Sequence, residues 1–158
     1  MAKRSVVFIF NLSVWLSIAS AQPTIFIVRH AERADSSENS ELSQAGLARA
    51  ESLAKTLKDK NITAIYATEF KRTQETGAPL AKALGIKITV RPAKATDFAL
   101  KLRAEHGNAL VVGHSNTIPD LIKALGVSQP IRINENDYDD LFEIVLGKKP
   151  KLIHTHYH

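Results

Sequence analysis

Thr24-Ile25-Phe26-Ile27-Val28-Arg29-His30-Ala31-Glu32 is the stretch whose reading decides the fold. Its first five residues are β-branched or aromatic, the composition of a buried strand. The run then ends on Arg, His and Glu, side chains for which a buried strand has no use. If this strand is parallel and central in an open α/β sheet, its carboxyl end faces the crevice where such sheets bind ligands.

Upstream of the strand, Lys3 and Arg4 precede an apolar run from Val6 to Ile18, and Ala19-Ser20-Ala21 gives a small-x-small pattern. This is the layout of a signal peptide cleaved after Ala21, with export to a periplasm or beyond. The apolar run is short for a transmembrane anchor, so no stable membrane anchor is expected. Residues 22–158 then form a single domain, a length that suits one core. Loss of Lys3 and Arg4 leaves 19 of the 21 Lys and Arg against 16 Asp and Glu, about +3, which is no footprint for nucleic acid. With no cysteine, the chain has neither disulfides nor thiol chemistry.

Downstream, helix and strand patterns alternate. Arg33 to Glu41 is a polar loop. Ser43 is placed to cap a helix running to about Asp59, with Leu47, Ala50, Leu53, Ala54 and Leu57 on its apolar face. Ala64 to Ala67 reads as a second strand. A helix capped by Thr68 follows, bent or broken at Pro79 and stopped at Gly85. Ile86 to Val90 is a third strand, Thr96 to about His106 a helix, and Ala109 to Gly113 the most strand-like run of all. Asp120 to Leu125 is a short helix. Leu141 to Leu146 and Lys151 to Thr155 form a late hairpin around Gly147-Lys148-Lys149-Pro150. The pattern predicts a three-layer α/β/α sandwich with a mostly parallel mixed sheet.

Three polar insertions fall at strand ends on one edge of that sheet: Arg29 and His30, Thr68 to Arg72, and His114. Two Arg and two His around one point suit a dianionic phosphate, because guanidinium donors match phosphate oxygens in a fork. A helix beginning near Phe70 would add backbone N–H groups if it points inward.

Arg29-His30-Ala31-Glu32 resembles the Arg-His-Gly/Ala-Glu signature of the histidine phosphatase superfamily, the phosphoglycerate mutase-like fold. Phe70-Lys71-Arg72-Thr73-Gln74-Glu75-Thr76 is similar to its second motif and Val112-Gly113-His114-Ser115-Asn116 to its late Gly-His motif. Leu42-Ser43-Gln44-Ala45-Gly46 matches the pattern between them, and the likeness runs from Thr24 to about Leu146. The resemblance implies a phosphoric monoester hydrolase in which His30 is the nucleophile, phosphorylated and then hydrolysed. Arg29, Arg72 and His114 hold the phosphoryl group, and neither cofactor nor metal is required. Cationic neighbours disfavour imidazolium, so His30 is expected to be neutral at working pH.

A general acid for the leaving group is less plain. Relatives carry one in the loop after the third strand, where Arg91 to Phe98 offers Asp97; Asp35, Glu38 and Glu69 are the other candidates. Without an acid, good leaving groups such as phosphohistidine are favoured. Glu32 reads as a structural partner for an Arg, Arg29 and Arg72 among them, His106 as a cation complementing a helix end, and Lys55, Lys58, Lys60 and Lys71 as solvated faces. On an extended strand His154, His156 and His158 share one face and suit zinc, copper or nickel, but adventitious surface binding or a frayed terminus is the favoured account of such a tail.

The expected partner is a phosphorylated small molecule, a lipopolysaccharide sugar or a phosphohistidine protein. A mutase is disfavoured because long insertions are missing. Specificity would lie in the loops Arg33 to Glu41, Arg91 to Phe98 and Ser128 to Asp140, the last acidic through Glu135, Asp137, Asp139 and Asp140. The alternative from another class is a non-catalytic phosphate- or metal-binding module that keeps the fold.

Overall fold

The computed structural model describes residues 22–91 and 96–158. The expected signal peptide therefore lies outside the described residues, as does the middle of the Arg91 to Phe98 loop. Ten elements follow one another as β1 (Thr24–Arg29), α1 (Gln44–Leu57), β2 (Ile62–Ala67), α2 (Lys71–Leu84), β3 (Ile88–Val90), α3 (Thr96–Arg103), β4 (Asn108–Gly113), α4 (Ile118–Ala124), β5 (Asp140–Val145) and β6 (Lys151–His156). The six strands make one sheet in the order β3-β2-β4-β1-β5-β6. The first four of these run parallel, β5 is antiparallel to β1, and β6 is antiparallel to β5.

Alternation along the central strand builds two cores at once. Ile25 and Ile27 face a cluster with Phe98 and Leu102 of α3 and Ile118, Leu121 and Ile122 of α4. Phe26 and Val28 face the other side, against Leu53 and Leu57 of α1 and Leu80 of α2. Helices thus cover both faces, and the three-layer phosphoglycerate mutase-like sandwich with a mixed sheet is the architecture observed. A sheet buried on both sides needs continuous apolar strands, which is why β1 and β4 read so clearly. Among the described residues, no helix is long and apolar enough to cross a membrane.

Several boundaries differ from the sequence reading. Ser43 does cap α1, its hydroxyl accepting from the Gly46 N–H at 3.1 Å. Leu47, expected on the apolar face, is 46% exposed; Gly46 is buried in its place. Thr68 does not cap α2. The cap is Phe70, which gives no side-chain bond, and Thr68 is buried at the sheet edge. Helix α2 runs unbroken through Pro79, because Thr76, Gly77, Leu80 and Ala81 are buried on both sides of the proline. Gly85 ends it as expected, with a φ of 66° and the Ile86 N–H bonded to the Ala81 carbonyl at 2.9 Å. That closure uses Ile86, so β3 is only three residues long. Helix α3 stops at Arg103, short of His106, and α4 starts two residues earlier than expected, with Pro119 in its first turn.

Gly46 sits where α1 crosses the backbone that follows β1. The Ser43 N–H donates to the Glu32 carbonyl at 2.9 Å, and a Cβ at position 46 would overlap that same oxygen. Gly46→Ala should therefore destabilise the fold by about 1–3 kcal/mol, the usual cost of overpacking. A denaturant midpoint lowered at unchanged m-value checks this; an unchanged midpoint would mean that the Glu32 backbone gives way freely.

Candidate active site

The parallel register carries Arg29 level with Gly113, so the residues after each lie side by side. The His30 N–H extends the pairing by one bond to the Gly113 carbonyl at 2.9 Å. As a result the His30 and His114 rings meet edge to face, with centroids 5.3 Å apart. Both are nearly buried, at 5% and 8% exposure.

His30 Nδ1 lies 2.8 Å from the Ala31 carbonyl. A carbonyl only accepts, so Nδ1 carries the proton and Nε2 keeps its lone pair. Burial pushes this imidazole down to about 4, assisted by His114, Arg72 and Arg29 and opposed by the Ala31 carbonyl. Burial likewise lowers His114 to about 4, with Arg72 and Arg29 contributing and Glu69 pulling the other way. The backbone turn that aims His30 is itself held, since the Ala31 N–H donates to Thr76 Oγ1 at 2.9 Å and that hydroxyl donates to the Arg72 carbonyl at 2.7 Å.

Two guanidinium groups flank the pair. Arg29 is 7% exposed, and its Nη1 donates to the carbonyls of Asn134 at 3.1 Å and Glu135 at 2.6 Å. The group also lies over the Tyr138 ring, 4.2 Å from its centroid, and Tyr138 in turn approaches His30. Arg72 stacks on Phe70 at 4.5 Å and donates from Nη1 to the Glu38 carbonyl. Each Arg thus has one edge fixed by protein, while Nε of both is buried with no protein partner. A buried guanidinium N–H without an acceptor is costly, and an anion between the two would satisfy both. Burial and the charges of Arg33 and Arg29 hold Arg72 below the usual guanidinium range.

The structure therefore brings together Arg29, His30, Arg72 and His114, as the sequence reading expected. Asp97 is exposed in the first turn of α3, and no contact among the described residues ties it to the histidines. Glu69, exposed beside the buried Thr68, is the acidic group whose charge reaches His114. Glu32 pairs with neither Arg29 nor Arg72 but with Arg49 of α1, which grips it from Nε at 2.8 Å and Nη2 at 2.7 Å. Burial pushes the Glu32 carboxyl up, but the Arg49 bonds outweigh it and hold it below the usual carboxylate range. The helix N-terminus contributes less than expected. The Lys71 N–H is taken by Asn39 Oδ1 at 2.9 Å, and those of Thr73 and Gln74 turn back to the Phe70 carbonyl.

Two participants escaped the sequence reading. Thr68 Oγ1 lies 3.0 Å from His114 Nε2 and 2.9 Å from Thr73 Oγ1, which itself donates to the Phe70 carbonyl at 2.8 Å. These bonds fix the His114 ring; Thr68 resembled a helix cap in sequence, and nothing local marked it otherwise. Arg91 is the second. Its Nε is buried without a partner among the described residues, and it borders a cleft with Tyr66, Thr68, Phe98 and Leu121 next to the histidines.

No curated protein sequence matches the chain. Among solved structures, the fold resembles the protein histidine phosphatase SixA complexed with tungstate, with a TM-score of 0.68 at 18% identity over 84% of this chain and 96% of that one. It also resembles a mycobacterial glucosyl-3-phosphoglycerate phosphatase with VO3, at 0.64 and 14% over 85% and 98%. A third is phosphoserine phosphatase from Entamoeba histolytica with 3-phosphoglyceric acid, at 0.63 and 13% over 86% and 96%. These likenesses are of fold. Residues 25–95, which hold the first two Arg-bearing motifs, match the sequence profile described as "Histidine phosphatase superfamily (branch 1)". The profile match is thus to part of the chain, and the fold is similar to that of a protein histidine phosphatase.

Proposed function

We propose that this chain is a phosphatase that hydrolyses a phosphomonoester or phosphohistidine through a covalent phosphohistidine on His30. The observation that carries the reading is the His30 imidazole itself. Its Nδ1 proton is committed to the Ala31 carbonyl, and its Nε2 lone pair stands among two half-satisfied guanidinium groups. A neutral, oriented nucleophile beside fixed donors is what phosphoryl transfer asks of a protein.

In the first step Nε2 of His30 attacks phosphorus, the P–N bond forms, and the bond to the leaving group breaks. The leaving atom takes its proton from Glu69 or from solvent. In the second step water attacks the phosphohistidine, the P–N bond breaks, and inorganic phosphate departs with its proton returned. Arg29 and Arg72 neutralise the equatorial oxygens throughout, and the neutral His114 ring lies beside them.

The neighbours with tungstate and VO3 support a site built for tetrahedral oxyanions. The protein histidine phosphatase among the structural neighbours makes phosphohistidine the first substrate to try. A lipopolysaccharide sugar or other phosphorylated small molecule is the next. Residues 1–21 support action outside the cytoplasm. The remaining alternative, a phosphate-binding module without turnover, draws on the absence of a firmly placed acid.

Phosphate release from p-nitrophenyl phosphate and from a phosphohistidine peptide, with chelator present, is the primary test. Activity should survive the chelator and disappear in His30→Ala; equal background in both proteins on both substrates would favour the binding module. Arg72→Ala, which removes one charge-assisted contact worth about 1.5–3 kcal/mol, should lower kcat/KM by on the order of tenfold to a hundredfold.

Both histidines are predicted to titrate near pH 4 without ligand. An unfolded imidazole takes up its proton near 6.5, so between 6.5 and 4 the unfolded state binds more protons and stability is lost as pH falls through this window. NMR titration of the two imidazoles and denaturation at stepped pH should show this. Midpoints at 6.5 would mean that the pair is not desolvated.

A further inference from the structure

We propose that the start of β5 and the end of β6 form a site for one divalent transition-metal ion of the zinc, nickel or copper class, held by Asp140, His154 and His156, with Asp139 and His158 positioned to complete it. Strand register creates the cluster. Asp140 pairs with His156 and Phe142 with His154, so alternate residues of two neighbouring strands point the same way. One ligand atom from each of Asp140, His154 and His156 lies within 4.8 Å of the others. Two ligands on a tetrahedral zinc, each about 2.0–2.1 Å from it, stand roughly 3.4 Å apart. His154 Nε2 lies 2.7 Å and His156 Nδ1 3.6 Å from Asp140 Oδ1. His156 Nδ1 is also 3.3 Å from Asp139 Oδ1, and His158 Nδ1 is 3.7 Å from Asp139 Oδ2. Small side-chain rotations gather these atoms around one ion.

Two further observations favour a cation here. The Asp140 side chain is only 5% exposed, and the side chains that pair with it among the described residues are imidazoles alone. A buried carboxylate calls for a compensating positive charge. The His154 ring is stacked on Phe142, with centroids 4.5 Å apart and planes 22° from parallel, which fixes one ligand in advance. His154 and His156 stay about half exposed, so an ion has a way in. Imidazole with carboxylate suits zinc, nickel and copper(II), whereas calcium and magnesium want oxygen ligands throughout.

The ion would fasten a segment that reaches the candidate active site through Tyr138. The Asp139 carbonyl accepts from the Tyr157 N–H at 3.0 Å, and the Tyr157 hydroxyl donates to the Tyr138 carbonyl at 3.1 Å. Tyr138 is the ring that covers Arg29. Its role is structural and stands apart from the phosphatase reading.

The test uses the full chain, stripped of metal and titrated with zinc and with nickel against a chromophoric chelator, alongside thermal melts. One ion per chain should bind at micromolar concentration or below and raise Tm. Exposed His156→Ala should weaken binding on the order of tenfold or more, while His106→Ala and His30→Ala leave it unchanged. Binding no tighter than millimolar, or affinity undiminished in a folded His154→Ala/His156→Ala double variant, would overturn the site. Loss of zinc affinity in His30→Ala would overturn it too, by placing the metal on the other histidine pair.

Discussion

One pairing governs the rest of the molecule: β1 against β4, in register from Ile25–Ala109 to Arg29–Gly113 and continued by the His30 N–H. A shift by a single residue would move every β1 side chain to the opposite face of the sheet. Ile25 and Ile27 would leave one core, Phe26 and Val28 the other, and the two imidazoles would no longer meet. The hydrophobic pattern that folds the sheet is thus also what aligns the two histidines. Chemistry here is a by-product of packing, and it inherits the packing's precision.

Around that alignment, the charged groups are held from behind. Arg29 is gripped by carbonyls of the Asn134–Asp137 segment, Arg72 by the Glu38 carbonyl and the Phe70 ring, and His114 by Thr68. Each grip uses part of the side chain's hydrogen-bonding capacity, and Nε of both Arg stays without a partner among the described residues. Because the site is desolvated, both imidazoles are kept neutral while the guanidinium groups stay charged, a division set by burial as much as by neighbouring charge. Glu32 and Arg49 lie outside this circle and brace the turn after His30 instead.

Most of this was legible in the sequence, for identifiable reasons. Continuous apolar strands and helical periodicity made the layers readable, and polar residues at strand ends marked Arg29, His30, Arg72 and His114. What escaped depended on tertiary detail. Thr68 carries the same local signal whether it caps a helix or supports a histidine. Pro79 tends to break a helix, yet α2 runs unbroken with its buried residues packed on both sides. Glu32 had several cations within plausible reach, and only the crossing of α1 at Gly46 decided for Arg49. Asp97 was placed by analogy with a loop position, and in the structure it is an exposed residue in the first turn of α3.

The position of β1 has a consequence for how the protein comes into being. The strand that leads into His30 is the first described element, yet its neighbours in the sheet are the fourth and fifth strands. Thr24 is bonded to Asn108, 84 residues further along the chain. During synthesis β1 therefore waits, unpaired, until more than half of the polypeptide has followed it, and the Asn134–Asp137 carbonyls that hold Arg29 arrive later still. Long-range parallel pairing of this kind is slow to form. A nascent chain thus carries no assembled oxyanion cradle: the reactive imidazole meets its guanidinium partners only once the sheet closes around it.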